Sequence, residues 1–537
     1  MLQAAPGWTV VALEYELGYL LEPKSAPPGW VPGAQVLARF WRFAQRVSMT
    51  ADEAENWLHD SAGGALAGVG GLRPLIAPGT YAAAVERIKE LIFAGDCYQV
   101  NFTFPLEFDW YGSPLALYAR LRQRQPVRYG GFVGDGKDAL VSLSPELFLE
   151  RVGNRLITRP MKGTAPRNAP AEQLRGSTKD RAENLMIVDL LRNDLGRVAE
   201  NGSVAVDRLF DIEDYPTVWQ MVSEVSATVG PDVSFGEILR ALFPCGSITG
   251  APKIRAMQIA AELESAPRGL YTGALGWLGP NGDFRLNVAI RTLALHSDGK
   301  GSLGVGSGIV ADSQVDAEWA ECHLKARFLR DDDPGLLLIE TLRREDGIYP
   351  SLPRHLERLS TSAAWLGFAF DEARVLAALA AQPGSGLWRV RLTLAKDGTC
   401  QVASFPLMEE PPGFRYAVLA AAPIDSTHPL RRHKTTDRAL YDEALKAIAG
   451  EPAVFDQVFL NERGEVAEGA RSNVFVERDG ILLTPPLSSG ALPGVLRAEL
   501  LAEGRAREQV LWPADLEDGF WLGNALRGLV RVALRQA

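Results

Sequence analysis

Apolar and polar positions along the chain follow two rhythms. A period of two dominates LFLERVGNRLITR (147–159), which alternates around Gly153-Asn154, and GALGWLGPNGDFRLNVAIRTLAL (273–295), which reads as two strands joined by a Pro-Asn-Gly-Asp turn. A helical period runs through STKDRAENLMIVDLLRNDLGRV (177–198), where good helix formers continue unbroken to Gly196. On that helix Glu183 and Asp194 fall within about 20° of each other. A second helical stretch, DAEWAECHLKARF (316–328), leads to RDDDPGL (330–336), where three aspartates, a proline and a glycine precede a new apolar run; the domain boundary is placed there. Strands mixed with long helices make residues 1–330 an α+β domain. Beyond the boundary, GLWRVRLTLAKDGTCQVASF (386–405) is another strand pair, turned at Asp397-Gly398, with a helix and more strands after it, so 335–537 forms a second domain. The pattern contains no internal repeat, and only SAPPGW (25–30) and EEPPGF (409–414) read as loops by composition.

Composition sharpens this frame. A chain of 537 residues exceeds what one core normally serves. The 66 Asp+Glu against 56 Lys+Arg give a net charge of −10 without a basic tail, which disfavours nucleic acid and acidic membranes as partners. The start, MLQAAPGWTV, lacks a basic region followed by an apolar core, and no apolar run approaches the ~20 residues of a membrane span. A soluble, cytoplasmic protein is expected. Cys97, Cys245, Cys322 and Cys400 are dispersed, without the spacing of a zinc site or a disulfide framework.

Candidate chemistry begins with TRPMKGTAPR (158–167), where Lys162 stands between Pro160-Met161 and Gly163 in what reads as a turn. Taken alone, such a lysine is an ordinary solvated charge. Glu183 lies on the long helix, and Glu318 and Glu321 share one helical face with Lys325 four residues beyond Glu321. These are either wet helix faces with a surface ion pair worth about 0.2–0.5 kcal/mol, or two sources of hard oxygen ligands for Mg²⁺. In SITGAPKIRAMQIAAEL (247–263), Thr249-Gly250-Ala251-Pro252 is expected to open a helix and leave backbone N–H groups free. In GVGSGIVADS (304–313), Gly304, Gly306 and Gly308 are expected to interrupt a strand and let amides approach a ligand. Arg291 adds a possible carboxylate clamp. Together these features favour a small polycarboxylate ligand.

AGDCYQVNFT (94–103), SPELFLE (144–150), RPMKGT, KDRAENLMIVDLLRNDLG, SITGAPK, YTGALGW (271–277), AIRT and GSGIVADS followed by EWAEC resemble, in order, the motif set of the chorismate-utilising enzymes. The resemblance covers roughly residues 70–330. It implies two facing β-sheets wrapped by helices, and a Mg²⁺-bound chorismate whose C4 hydroxyl leaves. Glu183, Glu318 and Glu321 become the metal carboxylates, with Glu321 preferred within its pair. Tyr271, Arg291 and the Gly306-Ser307-Gly308 segment become carboxylate binders, Thr249, Gly250 and Ala251 further substrate contacts, and Glu146 the acid/base beside the departing hydroxyl. Anthranilate-forming members resemble P-I-A-G-T where this chain has Pro160-Met161-Lys162-Gly163-Thr164, whereas aminodeoxychorismate synthases resemble P-I-K-G-T. Lys162 can therefore add to C2 of the ring as the C4 hydroxyl is expelled, and ammonia can resolve the adduct at C4. Lys253 belongs to the shared TGAPK motif and does not argue for the isochorismate- and salicylate-forming members, which use a lysine elsewhere to activate water. The chain departs from the pattern in two places. Residues 1–70 are short for this family, which puts a tryptophan-type regulatory pocket in doubt, and Gln220 stands where several relatives carry a histidine. With no glutaminase segment in the sequence, ammonia is expected from a separate glutamine amidotransferase subunit or from solution.

In the second domain, Lys434 in RRHKTTDRALYDEAL (431–445) is followed by Glu468 in GEVAEGARSNVFV (464–476). Arg358 in HLERL and the helix start at Val495-Leu496 in LPGVLRAELL (492–501) offer a cationic fork and free N–H groups for a phosphate. These features resemble the class IV pyridoxal-phosphate enzymes, a two-lobed fold-type IV architecture, with the first strands of that family missing before Leu336. The resemblance implies that Lys434 carries the cofactor and acts as base, while Glu468 keeps its pyridine nitrogen protonated. The family includes aminotransferases and aminodeoxychorismate lyase, which share these residues. Fusion to the first domain favours the lyase, giving chorismate to 4-amino-4-deoxychorismate and then to 4-aminobenzoate and pyruvate, for folate synthesis. An anthranilate-type synthase fused to an aminotransferase, or a non-catalytic partner that binds chorismate, are the alternatives. Dimerisation through the second domain is expected from its relatives.

Overall fold

A computed structural model describes residues 7–33, 35–215, 218–408 and 415–535. The loop-like EEPPGF segment at 409–414 lies outside the described residues. The described chain divides into two compact units, one of Met1–Ala67 with Leu72–Asp332 and one of Gly68–Gly71 with Asp333–Ala537.

The first unit is built on two antiparallel sheets. One runs in the order Ala205–Asp214, Val218–Thr228, Arg155–Arg159, Leu147–Val152, Phe284–Val288, Ala274–Leu278, Trp8–Leu13 and Ala38–Phe43, with Met161–Pro166 also paired on Val218–Thr228. The other runs Gly250–Ala251, Gln99–Gly112, Lys300–Ile309, Thr292–Leu295, Ala139–Ser142 and Gly131–Gly134. Apolar alternation turns Ala12 and Leu275 of the first sheet toward Val133 and Leu140 of the second, and this contact forms a core between them. The GALGW…LAL stretch holds three strands rather than two: the hairpin stays in the first sheet, and the chain then crosses at Ala289–Arg291 to put Thr292–Leu295 in the second.

The long helix spans Thr178–Gly196, and the Ser177 hydroxyl caps it by accepting from Asp180 N at 3.2 Å. Ile187, Val188, Leu191 and Leu195 recur at helical spacing and bury one face in the core of the first sheet, with about 1.5–3 kcal/mol available from each such side chain. The opposite, polar face remains for chemistry.

The second unit holds a small sheet of Leu338–Glu345, Leu387–Leu394 and Cys400–Pro406, and a larger mixed sheet in the order Val466–Gly469, Val454–Leu460, Tyr416–Leu419, Gly528–Leu534, Phe520–Asn524, Asn473–Arg478, Ile481–Thr484 and Ala506–Glu508. Lys434 follows a short turn of 3-10 helix, Pro429–Arg432. Its carbonyl accepts from Ile339 N at 2.8 Å, which ties it to the edge of the small sheet.

Candidate active sites

Lys162 does not lie in a turn. It belongs to the strand Met161–Pro166, whose backbone is paired against Val218–Thr228 with an irregularity between Gln220 and Val222. Around that irregularity the Gln220 amide holds the two residues after the lysine, donating to Gly163 O at 2.7 Å and accepting from the Thr164 hydroxyl at 2.8 Å. Gly163 has φ 93°, and a Cβ there would lie 3.0 Å from the Asp180 side chain, so glycine alone suits the position. Asn184, itself fixed by the Ser223 hydroxyl at 2.6 Å, reaches the Lys162 carbonyl at 3.5 Å.

Around the half-buried Lys162 amine the fold gathers Glu146, Glu183 and Glu321, with Lys325 close by. Burial first, and then Lys325, lower the amine below its usual range against the opposing pull of the three carboxylates. Glu146 is buried just ahead of Leu147–Val152 and accepts from the Ser247 hydroxyl at 2.7 Å. Burial raises its carboxyl, with Ser247 and then Lys162 opposing. Glu183 is half-buried and raised by burial, and it has neither a hydrogen bond nor an ion pair among the described residues. Glu321 pairs with Lys325 at 2.7 Å, and Lys325 also donates to Gly306 O at 2.8 Å. Glu318 turns instead to the Ser313 hydroxyl at 2.7 Å, and among the described residues no three acidic, histidine or cysteine side chains come close enough together to hold one metal ion. Two carboxylates still suit Mg²⁺, which commonly takes one or two from protein and completes its shell with water and substrate oxygens. The unpartnered Glu183 is the observation that fits a cation.

The segment expected to open a helix at Thr249 is arranged differently. Gly246–Ile248 is a 3-10 turn that presents Ser247, Gly250–Ala251 is a short strand on Gln99–Gly112, and the helix begins only at Lys253. Strand pairing takes up Gly250–Ala251, and Pro252 stands at the N-cap of the helix that follows. Lys253 donates to Asp194 at 2.5 Å and to Leu242 O at 3.0 Å. Asp194 is thereby a tie between helices and takes no part with Glu183, three turns away along the same helix.

The glycines of GVGSGIV do not interrupt their strand either, for Lys300–Ile309 runs continuously against Gln99–Gly112. Each makes room for a neighbour: a Cβ at Gly304 would lie 2.0 Å from the Tyr271 ring, at Gly306 2.5 Å from Phe102 O, and at Gly308 2.1 Å from the Gln99 amide. Thr292–Leu295 covers this strand only over Gly301–Leu303, which leaves the edge beyond it open. Ser307 points the other way, with its hydroxyl 3.4 Å from that of Tyr81. Arg291 has φ 49° and Thr272, beside Tyr271, has φ 60°, two left-handed non-glycine residues of the kind that cluster at functional sites. Burial lowers the Arg291 guanidinium, and no acid pairs with it among the described residues. Motif reading passed over Gln99, whose buried Oε1 has no hydrogen-bond partner, as well as Ser247, Asn184 and the clamping role of Gln220. Only the surplus of polar residues in otherwise apolar stretches hinted at them.

Glu14, Gln35, Arg39 and Trp41 of the amino-terminal stretch line part of a cavity of about 320 Å³.

In the second unit, Lys434, Glu468, Arg358 and Val495 line one cavity of about 550 Å³. Burial, then Arg358, push the Lys434 amine down to about 7, and its Nζ donates to the Thr341 hydroxyl at 3.3 Å. Glu468 is buried, accepts from the Tyr441 hydroxyl and from Leu492 N at 2.9 Å, and is raised by burial with Tyr441 opposing. Arg431 in turn donates to Tyr441 at 2.7 Å. Arg358 is not a loose fork: its Nε and a terminal nitrogen grip Glu340 at 2.8 and 2.6 Å, and it also donates to Pro493 O at 3.2 Å. Burial would raise Glu340, but Arg358 and His355 outweigh it and hold the carboxyl well below its usual range. Val495 opens the helix Val495–Ala502 behind Gly494, while the Leu496 side chain packs into the neighbouring apolar cluster. A depressed lysine, an enclosed carboxylate, a braced arginine and a helix start around one cavity suit pyridoxal phosphate. Glu340, His355, Tyr441 and Arg431 escaped motif reading because their roles exist only in three dimensions.

The fold and these sites define a chorismate-binding enzyme joined to a class IV aminotransferase-like domain. The chain belongs to the chorismate binding enzyme family, whose model matches residues 9–331; the amino-transferase class IV model matches residues 337–534. Among curated proteins it is similar to aminodeoxychorismate synthase component 1 of Escherichia coli, 42% identical over 248 residues, which is 45% of this chain and 54% of the relative. It is also similar to aminodeoxychorismate synthase of Streptomyces griseus, 44% identical over 255 residues, 46% of this chain and 35% of the relative. The match therefore spans about half of the first relative and about a third of the second. Among solved structures, anthranilate synthase component I from Streptococcus pneumoniae superposes with a TM-score of 0.52 at 28% identity, covering 60% of this chain and 80% of that one.

Proposed function

We propose that the chain converts chorismate and ammonia to 4-amino-4-deoxychorismate in residues 1–330, and eliminates pyruvate from that product to leave 4-aminobenzoate in residues 335–537. The observation that carries this reading is Lys162: a braced, half-buried lysine with its amine depressed, set among Glu146, Glu183 and Glu321. The names of the relatives support it.

In the first reaction, the Lys162 amine adds to C2 of chorismate as the ring double bonds shift and the C4 hydroxyl leaves. Glu146, whose carboxyl burial shifts upward, gives that hydroxyl its proton, so water departs. Ammonia then adds at C4, the double bonds shift back, and Lys162 is released. Arg291, Tyr271 and the open edge at Gly306–Gly308 bind the carboxylates, with Thr249–Ala251 beside them. Glu183 and Glu321 would hold Mg²⁺, which would neutralise charge on the bound carboxylate. Ammonia would come from a separate glutamine amidotransferase.

In the second reaction, pyridoxal phosphate when bound supplies an electron sink. Lys434, close to neutral, takes the C4 proton of the substrate, and loss of the enolpyruvyl group leaves an aromatic ring. Glu468 would hold the protonated pyridine nitrogen of that cofactor, while Arg358 and the amides at Val495 and Leu496 would hold its phosphate. No amino acceptor is consumed. We also place the protein in the cytoplasm, as a dimer through its second unit; among the described residues no helix is long and apolar enough to cross a membrane.

Product analysis with chorismate, Mg²⁺ and ammonium tests the whole reading. 4-Aminobenzoate and pyruvate are expected with pyridoxal phosphate, 4-amino-4-deoxychorismate without it, and little of either without Mg²⁺. Anthranilate as the product, or a requirement for a keto acid, would overturn it.

A further inference from the structure

Glu468 is buried on the strand Val466–Gly469, and burial favours the neutral acid. An acid that keeps its own proton leaves a neighbouring ring nitrogen bare, and a bare pyridine is a poor electron sink. Two donors oppose the burial. Leu492 N reaches one carboxylate oxygen at 2.9 Å, and the Tyr441 hydroxyl reaches the other. A hydroxyl can donate or accept, and here its direction is fixed from behind. Arg431 donates to the Tyr441 oxygen at 2.7 Å, and a guanidinium offers no acceptor in return, so the single phenol hydrogen is left for Glu468. Burial, then Glu468, raise Tyr441 well above its usual range, so the phenol keeps that hydrogen. The tyrosine ring is seated edge-on against Phe459, 5.2 Å between centres, in an apolar cluster with Ala467 and Ala470. Arg431 pairs with no acid among the described residues, so its charge bears on Glu468 through the tyrosine. Arg438, the other cation that acts on Glu468, is directed elsewhere: it donates to Ala470 O at 2.8 Å and lies 3.7 Å from Asp442.

We propose that Tyr441, oriented by Arg431, is a positioning residue for Glu468: the relay holds the carboxylate as an anion, so that the proton it shares with the cofactor rests on the pyridine nitrogen and not on the acid. The inference rests on the reading of this cavity as a pyridoxal phosphate site. Neither residue of the relay is needed to touch the substrate. Its effect is on how strongly the bound ring draws electrons while Lys434 moves the C4 proton. A hydrogen bond to a charged acceptor is stronger than one to a neutral group. Removing the phenol hydroxyl therefore makes Glu468 the better base and draws the proton off the ring.

The test uses the full chain loaded with pyridoxal phosphate carrying a nitrogen-15 label in its ring, because the chemical shift of that nitrogen separates a protonated pyridine from a bare one. The wild type should give the protonated signal. Tyr441→Phe should move the signal toward the bare position. It should also lower kcat for pyruvate release from 4-amino-4-deoxychorismate roughly 10- to 100-fold, the scale of one lost charge-assisted bond, with KM within a few-fold. Arg431→Met, which leaves the tyrosine in place but undirected, should shift the signal the same way by less, and Arg431→Lys, which still donates, should restore most of it. A wild-type signal in Tyr441→Phe overturns the inference, and so does a bare ring in the wild type. If Tyr441→Phe fails to hold the cofactor, Arg431→Met decides, and a wild-type signal there overturns the inference as well. A wild type that takes up no pyridoxal phosphate overturns the cofactor reading, and this inference with it. One that shows the protonated ring yet releases no pyruvate overturns the lyase reading alone, and the nitrogen signals of the variants still decide the role of Tyr441.

Discussion

A lysine acts as nucleophile or base only when it is neutral, and two lysines here approach that state by the same physics: enclosure that penalises the charged form, with a second cation nearby. At Lys162 the second cation is Lys325, and at Lys434 it is Arg358. Acids stand beside both, so neither amine is simply expelled from its charged state, and each remains poised. At the first site, Lys162→Ala is expected to leave chorismate binding measurable by calorimetry while nearly abolishing 4-amino-4-deoxychorismate formation. A rate close to wild type would remove the nucleophile role. At the second site, the amine pushed down to about 7 should make capture of pyridoxal phosphate by the cofactor-free chain rise with pH and level off above about 7, since only the neutral amine attacks the aldehyde. The rate at which visible absorbance grows between pH 6 and 10 checks this. A rise that continues toward the usual lysine range would mean the amine is not desolvated.

At the scale of elements, placement of the active-site loops depends on ties that the chemistry does not use. The helix Lys253–Leu263 and the long helix Thr178–Gly196 are joined by Lys253 and Asp194 at 2.5 Å, both nearly enclosed. Lys253→Met would strand a buried carboxylate, and should cost about 3–5 kcal/mol in the urea unfolding of the first unit. A change below about 1 kcal/mol would show that water reaches Asp194. The long helix and the hairpins were legible in the sequence because strong periodicity and turn residues agree there. Pro252 does mark the helix start, but Thr249–Ala251 and the glycine strand were misread for one reason: local residue types do not show the long-range pairing with Gln99–Gly112 that decides their form. The candidate site was legible where ordered motifs carry charged groups, as at Glu146, Lys162, Glu183 and Glu321. It was illegible where a neutral residue acts through a contact distant in sequence, as Gln220 does on Gly163 and Ser247 on Glu146.

At the scale of the whole molecule, each proposed reaction is confined to one compact unit. Glu146, Lys162, Glu183, Arg291 and Glu321 fall within Leu72–Asp332, and every residue lining the Lys434 cavity falls within Asp333–Ala537. Chemistry in the first unit therefore needs nothing that Lys434 holds. Lys434→Ala removes the amine that carries the cofactor and moves the C4 proton, and leaves the first unit intact. Given chorismate, ammonium, Mg²⁺ and pyridoxal phosphate, this variant should consume chorismate at the wild-type rate, accumulate 4-amino-4-deoxychorismate and lose the absorbance of covalently held cofactor. Separated product analysis reads all three. Loss of chorismate consumption in Lys434→Ala would mean that the units are coupled in the first reaction, and continued release of 4-aminobenzoate and pyruvate at the wild-type rate would mean that elimination does not depend on this lysine.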